Sequence, residues 1–222
     1  MYIDLQALDG AARHKVLSTI VVPRPIAWIS SMDEHGAVNV APFSFFNLLS
    51  ADPPLFCVGI GARDGMPKDT ARNIRARGEF TVNMVSAALA RRMNVTAIEF
   101  PAGVNEAQEA GLMLAPGIEV ATPRIAQSPA SFECRVRHLL NVDGLRTLVV
   151  ADIVAMHVMD EAVLDPGQLY LDTPRMDLVG RLHNPGWYCR TGPAFQMPQL
   201  SLQQWDGLRQ GGEAEPYLVG GP

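Results

Sequence analysis

The hydrophobic pattern along the chain switches repeatedly between a period near two and a period near 3.6, with turns between. Residues 9–20 predict an opening helix, with Asp9 as N-cap and Leu8 as a staple just before it. Residues 25–31 read as a strand with Ile26, Trp28 and Ser30 on one face. A turn at 33–36 and a returning strand at 37–41 complete a hairpin. Pro53 and Pro54 punctuate the start of a third strand, 55–61. Residues 68–77 predict a short helix capped by Asp69. In 79–85, Phe80, Val82 and Met84 alternate with Thr81 and Asn83. Helices are expected over 87–98 and 105–110. In 131–140 the alternation places Phe132, Cys134, Val136 and His138 inward, and Glu133, Arg135 and Arg137 outward. A long strand follows at 146–159, and a last one at 177–182.

So many half-buried strands predict an α+β domain of mainly antiparallel β, the sheet closed into a barrel with peripheral helices. Nineteen glycines and seventeen prolines, spread over the whole length, supply the turns this needs. One domain is expected over 1–206. The segment 207–222 is Gly/Pro-rich and weakly periodic, and is expected to be loose or packed on a partner.

Composition then narrows the function. The 222 residues are 48% hydrophobic, enough for a sizeable core without staples. A formal net charge of −5 offers no basic field for nucleic acid or anionic membrane. Any anion must be held locally, by a few placed donors. Cys57, Cys134 and Cys189 are odd in number and far apart, which is neither a disulfide framework nor a zinc set. The five histidines show no metal-ligand spacing. The start, MYIDLQALDG, lacks a secretory pattern, and no apolar run approaches the ~18 residues of a membrane span. A cytoplasmic protein is the expectation.

Two segments carry candidate chemistry. In Asn39-Val-Ala-Pro-Phe-Ser-Phe-Phe-Asn47, Pro42 removes an amide donor, while Ser44 and Asn47 stand among Phe43, Phe45 and Phe46. Backbone amides beside aromatic faces suit a flat heteroaromatic ligand; the plainer reading is a strand exit whose phenylalanines enter the core. In Arg63-Asp-Gly-Met-Pro-Lys-Asp-Thr70 a loop runs into a helix whose first turn holds Lys68, Asp69, Thr70 and Asn73. The amides and dipole of that terminus, with the Lys68 charge, make a compact phosphate site; the alternative is a capped surface helix. Asp152, mid-strand between Val150 and Val154, is either a buried acid or a locally bonded structural group. No arrangement for nucleophilic catalysis is present.

Together with Arg24-Pro-Ile-Ala-Trp-Ile-Ser-Ser31, Asp52-Pro-Pro54, Asn73-Ile74 and Glu79-Phe-Thr-Val-Asn83, these segments closely resemble the flavin reductase-like family. That family includes flavoredoxins and the reductase components of nitrilotriacetate-type two-component monooxygenases. Glu133-Cys-Arg135, strand 149–157 and Gly180-Arg-Leu182 with Trp187-Tyr188 extend the resemblance over 16–198. It implies an FMN-binding split barrel working as a homodimer, with FAD as the other flavin and NAD(P)H as co-substrate. By the same resemblance, Asn39, Val40, Ala41, Ser44, Phe45, Phe46 and Asn47 line the flavin ring, largely through backbone amides. Ser30 and Ser31 stand near its ribityl chain or phosphate. Lys68, Asp69, Thr70 and Asn73 hold the phosphate, and Arg181 and Tyr188 match the C-terminal pattern.

Two departures stand out: Ala151-Asp-Ile153 replaces Gly-Glu-Val, and His183-Asn-Pro185 follows Gly-Arg-Leu where two glycines are common. The implied activity is NAD(P)H-dependent reduction of FMN, delivered to a partner monooxygenase. The alternative is a flavoredoxin-like electron carrier that retains its flavin. Hydride transfer by positioning needs no acid–base residue, in keeping with the missing constellation.

Overall fold

Seven antiparallel strands in one sheet organise the computed structural model, which describes residues 1–101, 103–192, 194–212 and 217. The chain runs α1 (Gly10–Ile20), β1 (Ala27–Met32), β2 (Val38–Phe43), β3 (Phe46–Ala51), β4 (Pro54–Ile60), α2 (Asp69–Arg77) and β5 (Glu79–Asn83). It continues with α3 (Ala90–Val95), α4 (Glu106–Glu109), β6 (Ala130–Asn141), β7 (Thr147–Val158), β8 (Val179–Arg181) and β9 (Tyr188–Arg190). The sheet order is β2-β1-β5-β6-β7-β4-β3, while β8 and β9 pair separately.

The edges β2 and β3 are consecutive in sequence, with only Ser44 and Phe45 between them. A sheet whose outermost strands share so short a link must curl until its edges approach. They approach without zipping up: among the described residues no ladder joins β2 to β3. The expected closure is therefore corrected to a curled sheet with an open seam. Pro42 lies within β2 opposite Trp28, so the chain does not leave the strand there. On an edge strand its missing N–H costs no ladder bond.

β1 is buried on both faces, which explains why Ile26–Ile29 run apolar without alternation and why Ser30 and Ser31 are buried too. Ala27 and Ile29 join Phe80, Val82, Phe56 and Val149 on one side. Ile26 and Trp28 join Val40, Val85 and Met93 on the other. Alternation thus placed Ile26 and Trp28 together as expected. Ala71 and Ile74 of α2 enter the first cluster, so the start of that helix is anchored in the core. Gly78, in the left-handed region at φ 71°, ends α2.

α1 begins as predicted, with the Asp9 side chain accepting from the Ala12 amide at 2.7 Å. Replacing Asp9 with alanine should cost about 0.5–2 kcal/mol, read as a lower urea midpoint at unchanged slope.

Several local expectations are corrected. Lys68, not Asp69, occupies the N-cap of α2, and no side chain caps it. Helix 87–98 is broken into a tight turn at Ala87–Leu89 followed by α3. β3 and β9 had not been expected as strands. In β6, an extra residue at Arg137 against β7 breaks the alternation after Val136. Phe132, Cys134 and Val136 face the core as expected, and Glu133 keeps the opposite face but is fully buried there under the 118–120 amides. His138, by contrast, is exposed and Leu139 packs in its stead. By internal contacts the chain divides into Met1–Thr191 and Gly192–Pro222. In the second unit, Ser201 caps a helix over Leu202–Gln210, so the segment expected to be loose from Gly207 begins inside a helix. Its residues 213–216 and 218–222 lie outside the described residues.

Candidate functional site

The start of α2 meets β1 and β2 in a small polar network. Asn73 donates to the Ser31 hydroxyl at 3.2 Å, and Asn39 donates to Thr70 Oγ1 at 3.0 Å. Ser31 and Asn39 face each other across the β1–β2 ladder. Ser31, Thr70 and Asn73 are buried, so the network fixes the first turn of α2 against the sheet. With no side-chain cap, the Asp69 and Thr70 amides keep neither an intrahelical nor a side-chain partner, while those of Ala71 and Arg72 bond to the Lys68 carbonyl. The Lys68 ammonium lies 5.7 Å from the centre of the Phe43 ring.

A cavity of about 470 Å³ opens beside this network, lined by Asn39, Ala41, Phe43, Lys68, Asp69 and Thr70 among others. Its opposite lips are joined by an Arg63–Glu99 ion pair at 3.3 Å. Glu106 also lines it: burial raises its carboxyl pKa, backbone amides including that of Val40 oppose the rise, and Asp69 adds to it. Nothing in the local sequence pattern singled Glu106 out.

A second pocket of about 200 Å³ adjoins the first and shares Pro42, Phe43 and Ala97 in its wall. Ser44, Arg181, Tyr188 and Arg24 line it. Arg24 opens the first segment of the family resemblance, which implies no role for it. It is buried and donates to the carbonyls of Ser18, Val21 and Leu182 at 2.7–2.8 Å, thereby holding the exit of α1. Burial first, and then the neighbouring Arg181 charge, lower its pKa.

The fifteen expected site residues therefore separate. Asn39, Ala41, Lys68, Asp69 and Thr70 share the larger cavity, and Ser44, Arg181 and Tyr188 the smaller. Ser31 and Asn73 stand behind the first group in the network. Ser30 points to the other face of β1, where it donates to the Pro123 carbonyl and accepts from Asn83. The Val40 and Phe46 side chains lie in the core. Phe45 and Asn47 are exposed, and Asn47 bonds only locally, to the Leu48 amide. Asp152 is paired on the surface with Arg137, whose guanidinium holds its carboxyl below the usual range. Among the described residues, no cluster of metal-ligating side chains occurs.

An open curled sheet with an uncapped helix start beside a cleft defines the split-barrel class of fold. The chain belongs to the flavin reductase like domain family, which it matches over residues 18–176. An uncharacterized protein of Deinococcus radiodurans is 43% identical over 209 residues, 92% of either chain. The structure of 2-nitrobenzoate 2-nitroreductase NbaA from Pseudomonas fluorescens is 32% identical, with a TM-score of 0.83 over 91% of this chain and 98% of that one. Nitrilotriacetate monooxygenase component B from Bacillus cereus gives 25% identity and a TM-score of 0.83, covering 89% and 98%.

Proposed function

We propose that the protein is an NAD(P)H-dependent FMN reductase that hands reduced flavin to a partner monooxygenase. The observation that carries this reading is one groove with a phosphate cradle at one end and a free strand edge along its wall. The first amides of α2, the Lys68 ammonium and the Thr70 hydroxyl would hold the phosphate. Asn39 would be presented by its bond to Thr70, and Asn73 and Ser31 would keep the helix seated. β2, as an edge strand, has one side of its backbone free of ladder partners. The backbone groups on that free side belong to Val40 and Pro42, the Val40 amide reaching Glu106, while Asn39 and Ala41 turn theirs toward Ser31 and Ile29. The edge supports the reading that the Val40–Pro42 backbone and the Asn39 and Ala41 side chains line the ring. The uncapped helix start and the cavity of about 470 Å³ beside it suit an FMN-sized ligand better than a bare anion.

When bound, the flavin supplies a hydride-accepting ring, and a dihydronicotinamide the hydride. The chain then has to orient the two and exclude water, work for fixed dipoles rather than a titrating base. Pairing with a monooxygenase is supported by the likeness to the Bacillus cereus component B. A homodimer is supported by exposed apolar side chains at Leu48 and Leu49 of edge strand β3 and at Ile20 and Val21. A cytoplasmic location accords with the described helices, none of which is long and apolar enough to cross a membrane.

The test is anaerobic mixing of protein with a molar excess of FMN and either NADH or NADPH. Reduction of many equivalents of FMN per protein is the expected result. Reduction of one equivalent or less, with flavin that survives dialysis, would favour a flavoredoxin-like carrier instead.

A further inference from the structure

We propose that the smaller pocket is an anion subsite that takes the carboxylate of a monocyclic aromatic acid beside the bound flavin. The inference rests on the flavin reading, because this pocket shares its Pro42–Phe43 wall with the groove assigned to FMN. Its distinguishing feature is charge. Arg24 and Arg181 both line it, and none of its lining residues is an aspartate or glutamate. Among the described residues, neither guanidinium belongs to an ion pair.

Both are held in place by neutral acceptors instead. Arg24 spends its donors on backbone carbonyls and, at 3.4 Å, on the Ser44 hydroxyl. Arg181 donates to Asn184 Oδ1 at 2.9 Å and to the Tyr188 hydroxyl. The two residues are bridged through their backbones, N to O at 2.9 and 2.8 Å. That approach depends on Gly180, where an added Cβ would lie 2.9 Å from Pro23 Cβ. Two like charges are thus fixed side by side in a partly dry pocket, an arrangement that an incoming anion relieves.

The rest of the wall selects the kind of anion. Ile26, Phe43, Met93 and Tyr188 present apolar and aromatic surface around the cationic end. At about 200 Å³ the pocket falls below the ~300–1,000 Å³ typical of drug-sized ligands, so one ring fits and a dinucleotide does not. A flat ring against Phe43 and Tyr188, with its carboxylate toward Arg181, uses every part of the surface.

The experiment titrates FMN-loaded protein with benzoate and with benzamide, its neutral near-isostere, following the flavin absorbance band. Benzoate should perturb the band saturably, with a Kd at least about tenfold below that of benzamide. Arg181→Gln should erase this preference, and Arg181→Lys should restore part of it. Equal Kd values in the native protein, or a preference that survives Arg181→Gln, would overturn the proposal. So would displacement of benzoate by AMP or inorganic phosphate as effectively as by another aromatic acid, since the subsite would then serve a phosphate. If Arg181→Gln instead loses FMN, Arg181 belongs to the flavin's own anchorage and the proposal falls. Protein that binds no FMN ends both readings, whereas FMN-loaded protein with no benzoate response ends only this one.

Discussion

Exchanging Glu133 for glutamine should cost about 3–5 kcal/mol of folding stability, the loss expected when one member of a buried charged network is removed. Its carboxylate is fully buried, and accepts from the amides of Ile118, Glu119 and Val120 at 2.6–3.0 Å and bonds to His157. Glutamine keeps the shape but turns one acceptor into a donor, aimed at groups that are themselves donors. The loop at 118–120 would then lose its attachment to β6. Urea unfolding measures the effect, and a loss below about 1 kcal/mol would contradict the assignment.

The same group gives a pH dependence. Burial alone would raise the Glu133 carboxyl, but the His157 bond and the three amides outweigh it and hold the pKa down to about 2, against an ordinary 4.5. A depressed folded pKa lends stability that is complete above the ordinary value and is lost as pH falls from 4.5 toward 2. Native protein should therefore lose stability across that window more steeply than Glu133→Gln. Parallel acid-side curves would contradict this.

Replacing Lys68 with alanine should weaken FMN by about 1–3 kcal/mol, or roughly 5- to 150-fold in Kd. Lys68 is exposed at the N-cap of α2 and forms no ion pair among the described residues, so its charge is not spent elsewhere. For the same reason folding should change little, and the loss should appear in the binding isotherm rather than the unfolding midpoint. Thr70, by contrast, is buried and bonded to Asn39, so its removal would mix binding with stability. Unchanged FMN affinity in Lys68→Ala would take Lys68 out of the phosphate site.

Where neighbouring residues set the outcome, the sequence was readable. The α1 cap, the β1–β2 hairpin and β5 all follow from short-range pattern and turn chemistry. The failures have a long-range cause. Glu133 keeps the face that alternation gives it but is buried by the 118–120 loop, and an extra residue at Arg137 against β7 puts Leu139 where His138 was expected. β3 hid because Leu48 and Leu49 are adjacent, both exposed, and sit at a register shift against β4, which erases the alternation expected of an edge strand.

The candidate site divides in the same way. Lys68 and Thr70 stand at one helix start, a placement that the local sequence gives without any distant partner. Arg24 and Arg181 meet only because Gly180 lets β8 approach the chain before β1, a contact no spacing rule encodes.

The groove assignment is tested most directly by titrating the purified protein with FMN and with riboflavin, which lacks the phosphate, and following flavin fluorescence. Saturable binding of one FMN per chain, with riboflavin at least about tenfold weaker, is the predicted result. Equal affinity for the two flavins, or no response to either, would contradict a phosphate cradle at the start of α2.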